Sequence, residues 1–265
     1  MASTLAIISS NRIDQRFALL KATGRKALVC YVTAGYPDTD QSLALLRGLE
    51  GEGADIIEIG VPFSDPIADG PVIQGSSMRA LELGMTFERT LELVSKANVN
   101  IPVVMFSYLN PLLAGGQNCL RRAAQAGVDG VLVTDLPLGA DPDREAWLGE
   151  SELAFVRLVA PTTPVARMRE ISSHGSGFVY LISRLGVTGM QEEISAELAP
   201  TVALLRSATQ LPICVGFGIS NARQAAEVAR LADGVVVGSA LVQASAAGLT
   251  DALALTASLR AALNS

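Results

Sequence analysis

Eight short apolar runs, rich in β-branched residues, recur along the chain, each bounded by Gly, Pro or Asp. They are ALVCYVTA from Ala27, DIIEIGVP from Asp55, PVVMFSYL from Pro102 and GVLVTDLP from Gly130. AFVRLVAP from Ala154, GFVYLISR from Gly177, PICVGFGI from Pro212 and GVVVGSAL from Gly234 complete the set. Near-continuous apolar runs are what parallel strands buried on both faces require. Segments with helical spacing lie between them: SLALLRGLEGEGA before the second run, MTFERTLELVSKA before the third and NCLRRAAQAGV before the fourth. Two of these segments, the first and the third, end in or near Gly just before the next strand, a C-cap signal. Strand and helix alternate with no linker and no shift in composition. Eight such units predict a single closed (β/α)8 TIM barrel over residues 1–265, with a short N-terminal helical extension. An open doubly wound sheet is the competing arrangement, and the uninterrupted count favours closure.

The rest of the composition suits that fold. Of 265 residues, 49% are hydrophobic and 17% charged, enough apolar material for a large core. A net charge of -6 argues against a nucleic-acid binder, which needs a basic face. Cys30, Cys119 and Cys214 form no CxxC pair and read as reduced, buried thiols. The first residues lack the basic and apolar regions of a signal peptide. No apolar run approaches the roughly 20 residues a membrane-spanning helix needs. The expected location is the cytoplasm, or a plastid after removal of a transit peptide.

In such a barrel the site lies at the C-terminal ends of the strands. Polar residues expected there are Glu58, Asp65 and Asp69 after the second strand, Tyr108 and Asn110 after the third, and Thr134 and Asp135 after the fourth. Tyr180, Ser183 and Arg184 follow on the sixth. Gly216-Phe217-Gly218 after the seventh run and Gly238-Ser239 after the eighth, with GVTG before them, point to a phosphate site. Glycines allow close backbone approach, and helix N-termini attract anions.

The chemistry narrows by elimination. The three lysines, at 21, 26 and 96, lie away from strand C-termini, so a strand-end Schiff base is not expected. The lone His174 precedes the sixth strand, at the opposite face, so no His-based metal site is expected. A carboxylate-only Mg²⁺ site stays open, with no feature that supports it. Glu58 stands among Ile56, Ile57 and Ile59, where burial should raise its pKa and suit it to give and take a proton. The competing reading is a buried ion pair with Arg157, but if Leu158 faces the barrel interior, Arg157 faces the helices. Spacing does not choose between Asp65 and Asp69, since Asp beside Pro or Gly is ordinary turn chemistry. Tyr31, Tyr108, Tyr180 and Phe217 near strand ends suggest an apolar substrate body joined to a phosphate.

The chain resembles the tryptophan synthase alpha subunit family along nearly its whole length. The motifs that carry the resemblance are YVTAGYPD at 31–38, IEIGVPFSDPIADGPVIQ at 57–74, SYLNPLL at 107–113, DLP at 135–137, APTTP at 160–164, YLISRLGVTG at 180–189, and GFGIS with GSA further on. The resemblance implies retro-aldol cleavage of indole-3-glycerol phosphate to indole and glyceraldehyde 3-phosphate. It assigns proton transfer to Glu58 and the hold on the indole N–H to Asp69, leaving Asp65 structural or interfacial. It implies an indole pocket of Tyr31, Phe106, Tyr108, Leu132, Thr134, Leu158 and Phe217. Tyr180 would lie beside Glu58, and Thr188, in a loop closing through Gly186 and Gly189, would pack on Asp69. Gly189, Gly218, Gly238 and Ser239 would bind phosphate. Tyr31, where some members carry Phe, and Arg157, where an apolar residue or Pro is more usual, depart from the pattern. The implied partner is a pyridoxal-phosphate beta subunit in an α2β2 complex, with no cofactor or metal in this chain. A stand-alone lyase releasing free indole is the alternative. A non-catalytic regulatory subunit is a third reading, which the intact Glu58 and Asp69 argue against.

Overall fold

The computed structural model describes residues 11–182, 197–216 and 218–264. Eight parallel strands close on themselves in sequence order. They are β1 Ala27–Thr33, β2 Ile56–Gly60, β3 Val103–Ser107, β4 Gly130–Val133, β5 Ala154–Val159, β6 Val179–Ile182, β7 Ile213–Gly216 and β8 Gly234–Val237. β8 returns to β1 with Gly234 beside Ala27 and Val237 beside Cys30. All eight apolar runs become strands, and the fold is a TIM barrel.

Among the described residues the helices are α1 Arg12–Ala22, α2 Thr39–Gly51, α3 Pro71–Glu82, α4 Phe87–Ala97, α5 Leu109–Ala114, α6 Cys119–Gln125, α7 Pro142–Gly149, α8 Val165–Ser173, α9 Leu198–Ala208, α10 Ala222–Ala229, α11 Ser239–Ala247 and α12 Leu249–Leu263. Both glycine stops form as expected. Gly53 after α2 and Gly127 after α6 take φ of +92° and +99°. The end of α4 differs: Asn98 occupies the left-handed position at φ +47°. A short amide side chain tolerates that region better than other non-glycine residues do.

Alternation along each strand makes two apolar layers. Val29, Ile56, Val104, Leu132, Val156 and Val236 fill the barrel interior. Leu28, Cys30, Ile57, Ile59, Met105 and Val131 pack outward with the helices. Both layers are buried, which is why the strands read as unbroken apolar runs. Cys30, Cys119 and Cys214 are buried and free.

The N-terminal end of the barrel is plugged. Ile13, Phe17 and Leu20 form one stripe of α1 and join the interior cluster. Gly130 makes room for the plug, since a Cβ there would stand 2.8 Å from Ile13 Cδ1. Beside it lies a buried carboxylate with partners. Asp55 accepts from the Leu28 amide at 2.9 Å and pairs with Arg260 at 3.3 Å and Arg16 at 3.7 Å. These contacts join β2, β1, α12 and α1 at the closed end.

Candidate active site

On β2, Ile56, Glu58 and Gly60 share one parity and Ile57 and Ile59 the other, so the outward isoleucines send Glu58 inward. In register it stands between Tyr31 of β1 and Val104 of β3. Glu58 is 1% exposed, and its Oε1 has no hydrogen-bond partner among the described residues. Burial pushes its carboxyl up to about 8. The Glu58–Arg157 pair does not form. Arg157 faces the helices, pairs with Glu145 of α7 at 2.9 Å and lies 3.9 Å over the Phe155 ring.

Glu58 lines a hollow at the C-terminal end of the barrel, of about 100 Å³. The other lining residues described are Tyr31, Asp69, Gly70, Ile73, Phe106, Tyr180, Gly218, Val236, Gly238 and Ser239. None of them is a cation. Larger hollows of about 420 and 620 Å³ lie at the plugged end and against α7 and α8, and neither brings Glu58 and Asp69 together.

Asp69 reaches the hollow on the loop that enters α3. Burial raises its carboxyl to about 6, against the pull of a hydrogen bond from Tyr108. That bond runs from the Tyr108 hydroxyl to Asp69 Oδ2 at 3.1 Å. Asp65 sits elsewhere: it is exposed, accepts from the Ser64 hydroxyl at 2.6 Å and does not line the hollow.

Two glycines at strand ends make space for tyrosines. A Cβ on Gly60 would lie 2.1 Å from the Tyr31 hydroxyl oxygen, and one on Gly216 would lie 2.2 Å from that of Tyr180. Sequence reasoning groups Gly216 with the phosphate loop, but its missing side chain accommodates Tyr180. At the far wall, Gly218 has φ +81°, a conformation that favours glycine. Gly238 is the N-cap of α11 and Ser239 its first residue. Asn221 caps α10, its side chain accepting from the Gln224 amide at 3.0 Å.

Of the remaining expected site residues, those that are described fall around this hollow rather than in its wall. Leu132 and Leu158 belong to the interior cluster with Phe106 and Tyr180. Thr134 is half-buried and donates to the Ser107 carbonyl at 3.4 Å. Tyr108 touches the site through Asp69. Ser183, Arg184, Gly186, Thr188, Gly189 and Phe217 lie outside the described residues. His174 is exposed at the end of α8, and among the described residues no group of three His, Cys, Asp or Glu side chains is placed to hold a metal ion.

Comparison with known proteins decides the family. The family model for the tryptophan synthase alpha chain matches residues 17–262.

The chain belongs to the tryptophan synthase alpha chain family.

Family members from Caulobacter sp. strain K31 and Caulobacter vibrioides strain NA1000 / CB15N are 47% and 48% identical to it over 240 residues, covering 89% of this chain and 87% of each relative. A crystal structure of tryptophan synthase from M. tuberculosis in an open form superposes with a TM-score of 0.89 at 34% identity, covering 97% of this chain and 100% of that one. The tryptophan synthase alpha subunit of Legionella pneumophila str. Paris gives 0.88 at 34% identity, covering 97% and 99%.

Within this family frame, sequence reasoning missed Gly70, Ile73 and Val236 as lining residues. Signals for them existed. Gly70-Pro71 is a helix start, with Pro at the first turn, and it places Ile73 one turn in. Val236 has the inward parity of β8, opposite to Val235 and Val237, which pack outward.

Proposed function

We propose that this chain is the alpha subunit of a tryptophan synthase and cleaves indole-3-glycerol phosphate to indole and glyceraldehyde 3-phosphate by carboxylate acid–base chemistry. The observation that carries the reading is the pair Glu58 and Asp69 in one hollow, with carboxyl pKa values pushed to different heights. At pH 7 a group titrating at about 8 keeps its proton, and one titrating at about 6 has mostly lost it. One carboxyl is thus an acid and the other an anion under the same conditions.

The steps follow from that difference. The Glu58 carboxylic acid gives its proton to the indole ring carbon that bears the glycerol chain. The ring nitrogen becomes cationic, and the Asp69 carboxylate accepts its N–H and stabilises it. The Glu58 carboxylate then takes the proton of the adjacent glycerol hydroxyl. As that oxygen forms the aldehyde, the carbon–carbon bond breaks and its electron pair returns to the ring. Glu58 ends protonated, as it began. The phosphate would rest on Gly218, Gly238 and Ser239, where amides and the α11 dipole replace a cation. Gly189 would complete that cradle. Tyr31, Phe106, Tyr180, Phe217 and the deeper Leu132 and Leu158 would surround the indole, with Tyr108 and Thr134 at its edge and Thr188 closing over Asp69.

The proposed partner is a pyridoxal-phosphate beta subunit in an α2β2 assembly, to which indole passes, and the proposed location is the cytoplasm. Pyridoxal phosphate is assigned to the partner, consistent with a hollow that no described lysine lines. Among the described residues no helix is long and apolar enough to cross a membrane. The test is indole release from indole-3-glycerol phosphate by the purified chain, with and without a beta subunit. The proposal expects release that rises when the partner is added. No indole in either case overturns it, and full activity without a partner would point to a stand-alone lyase.

A further inference from the structure

Asp69 sits on an irregular loop, which is a poor platform for a group that must meet one ring N–H. Several bonds correct this. The Asp69 amide donates to the Pro66 carbonyl at 3.0 Å, and Gln74 Nε2 donates to the Asp69 carbonyl at 2.9 Å. The Tyr108 hydroxyl makes two bonds at once. It accepts from the Ala68 amide at 2.9 Å and donates to Asp69 Oδ2 at 3.1 Å. The other carboxylate oxygen, Oδ1, has no partner among the described residues.

Tyr108 is itself fixed, although it stands just before a six-residue helix. Its carbonyl accepts from the Ser107 hydroxyl at 2.8 Å, and the next amide, of Leu109, donates to Asp135 Oδ1 at 2.7 Å. Its ring is 3% exposed and packs against Phe63, which follows β2, with centroids 5.1 Å apart. The tether therefore runs from the ends of β3 and β4, through one phenol, to the loop after β2.

We propose that Tyr108 is a positioning residue for Asp69, its hydroxyl holding one carboxylate oxygen and the neighbouring amide so that the second oxygen is presented to the substrate. This rests on the reading that Asp69 accepts the ring N–H. A tyrosine suits the task because its hydroxyl accepts and donates in fixed directions and adds no charge. The groups that face Asp69 are Tyr108, Tyr31 and Tyr180, with Glu58 in the same hollow. No described cation lines the hollow, so the phenol is the main polar influence on this carboxylate. Removing its hydrogen bond should raise the pH at which Asp69 ionises.

The test is Tyr108→Phe, which keeps the ring and loses the hydroxyl. Carboxyl ¹³C NMR of Asp69 in the substrate-free chain should titrate near 6 in the wild type and at higher pH in the variant. Cleavage of indole-3-glycerol phosphate should fall by about 10- to 100-fold, mainly in kcat, and the acid limb of its pH profile should move up by the same interval. Combined with Asp69→Asn, the variant should add little further loss, because both remove one unit. An unchanged Asp69 titration, or losses that multiply in the double variant, would overturn the tether. A wild-type chain that never cleaves the substrate would instead overturn the function, while the NMR titration would still report on the tether.

Discussion

Two buried carboxylates three residues apart define the two ends of this barrel. Asp55 is 2% exposed and Glu58 is 1% exposed. Asp55, at the plugged end, is surrounded by Arg260, Arg16 and the Leu28 amide. Among the described residues, Glu58 at the open end has an oxygen with no partner and no cation lining its hollow. Burying a charge is costly in both places. At the closed end opposite charges and an amide offset the cost, and the result is a cross-link between strands and helices. At the open end the cost is left standing, and it appears as a carboxyl that holds its proton to about 8. The same elementary penalty is offset by partners at one end and, in the proposed reaction, serves proton transfer at the other.

The two ends should respond oppositely to neutralisation, and the largest effect should come from the open end. Glu58→Gln should reduce cleavage by at least about 10³-fold, measured as kcat with substrate binding retained. The same variant should not lose stability. Because folding raises the Glu58 pKa from about 4.5 to about 8, its contribution to stability is complete below about 4.5 and is lost as pH rises to about 8. Urea unfolding at pH 8 should therefore find Glu58→Gln more stable than wild type, by on the order of a few kcal/mol, and the gap should vanish near pH 4.

Asp55→Asn should do the opposite. Leaving Arg260 buried without its counter-ion should cost about 3–5 kcal/mol in urea unfolding, with kcat of the folded protein little changed. Gly216→Ala sharpens the open end by crowding rather than charge. The Tyr180 ring must move from beside Glu58, and we expect a loss of about 1–3 kcal/mol in stability together with reduced kcat. The smallest effect should come from Arg79→Ala on α3. Its pair with Glu82 is 3.4 Å long between exposed side chains, and thermal unfolding should barely shift.

Much of this contrast was legible in the chain. An acidic residue flanked by isoleucines in a strand-like run marks Glu58, and strand parity already turned Arg157 away from it. The eight-fold alternation specified the barrel because both faces of each strand must be covered. Three features needed coordinates. Asp65 and Asp69 have similar loop settings, and only the fold shows that Asp69 alone reaches the hollow. Gly216 reads as part of a phosphate loop, and its role as space for Tyr180 depends on a neighbouring strand. The Tyr108–Asp69 bond joins positions 39 residues apart, a contact no local pattern encodes. Asn98 ending α4 in place of Gly is a local detail that propensity ranks second and the chain uses anyway.

The pH profile of kcat/KM joins both carboxylates in one curve. Activity should fall as pH drops through about 6, when Asp69 protonates, and as pH rises through about 8, when Glu58 ionises. The most direct test is the protonation state of Glu58 itself, read by infrared difference titration of the ¹³C-glutamate-labelled chain with Glu58→Gln as the blank. We predict a carboxylic acid C=O band that persists through neutral pH and disappears with a midpoint near 8. A band already lost near the ordinary glutamate range of about 4.3 would contradict the account.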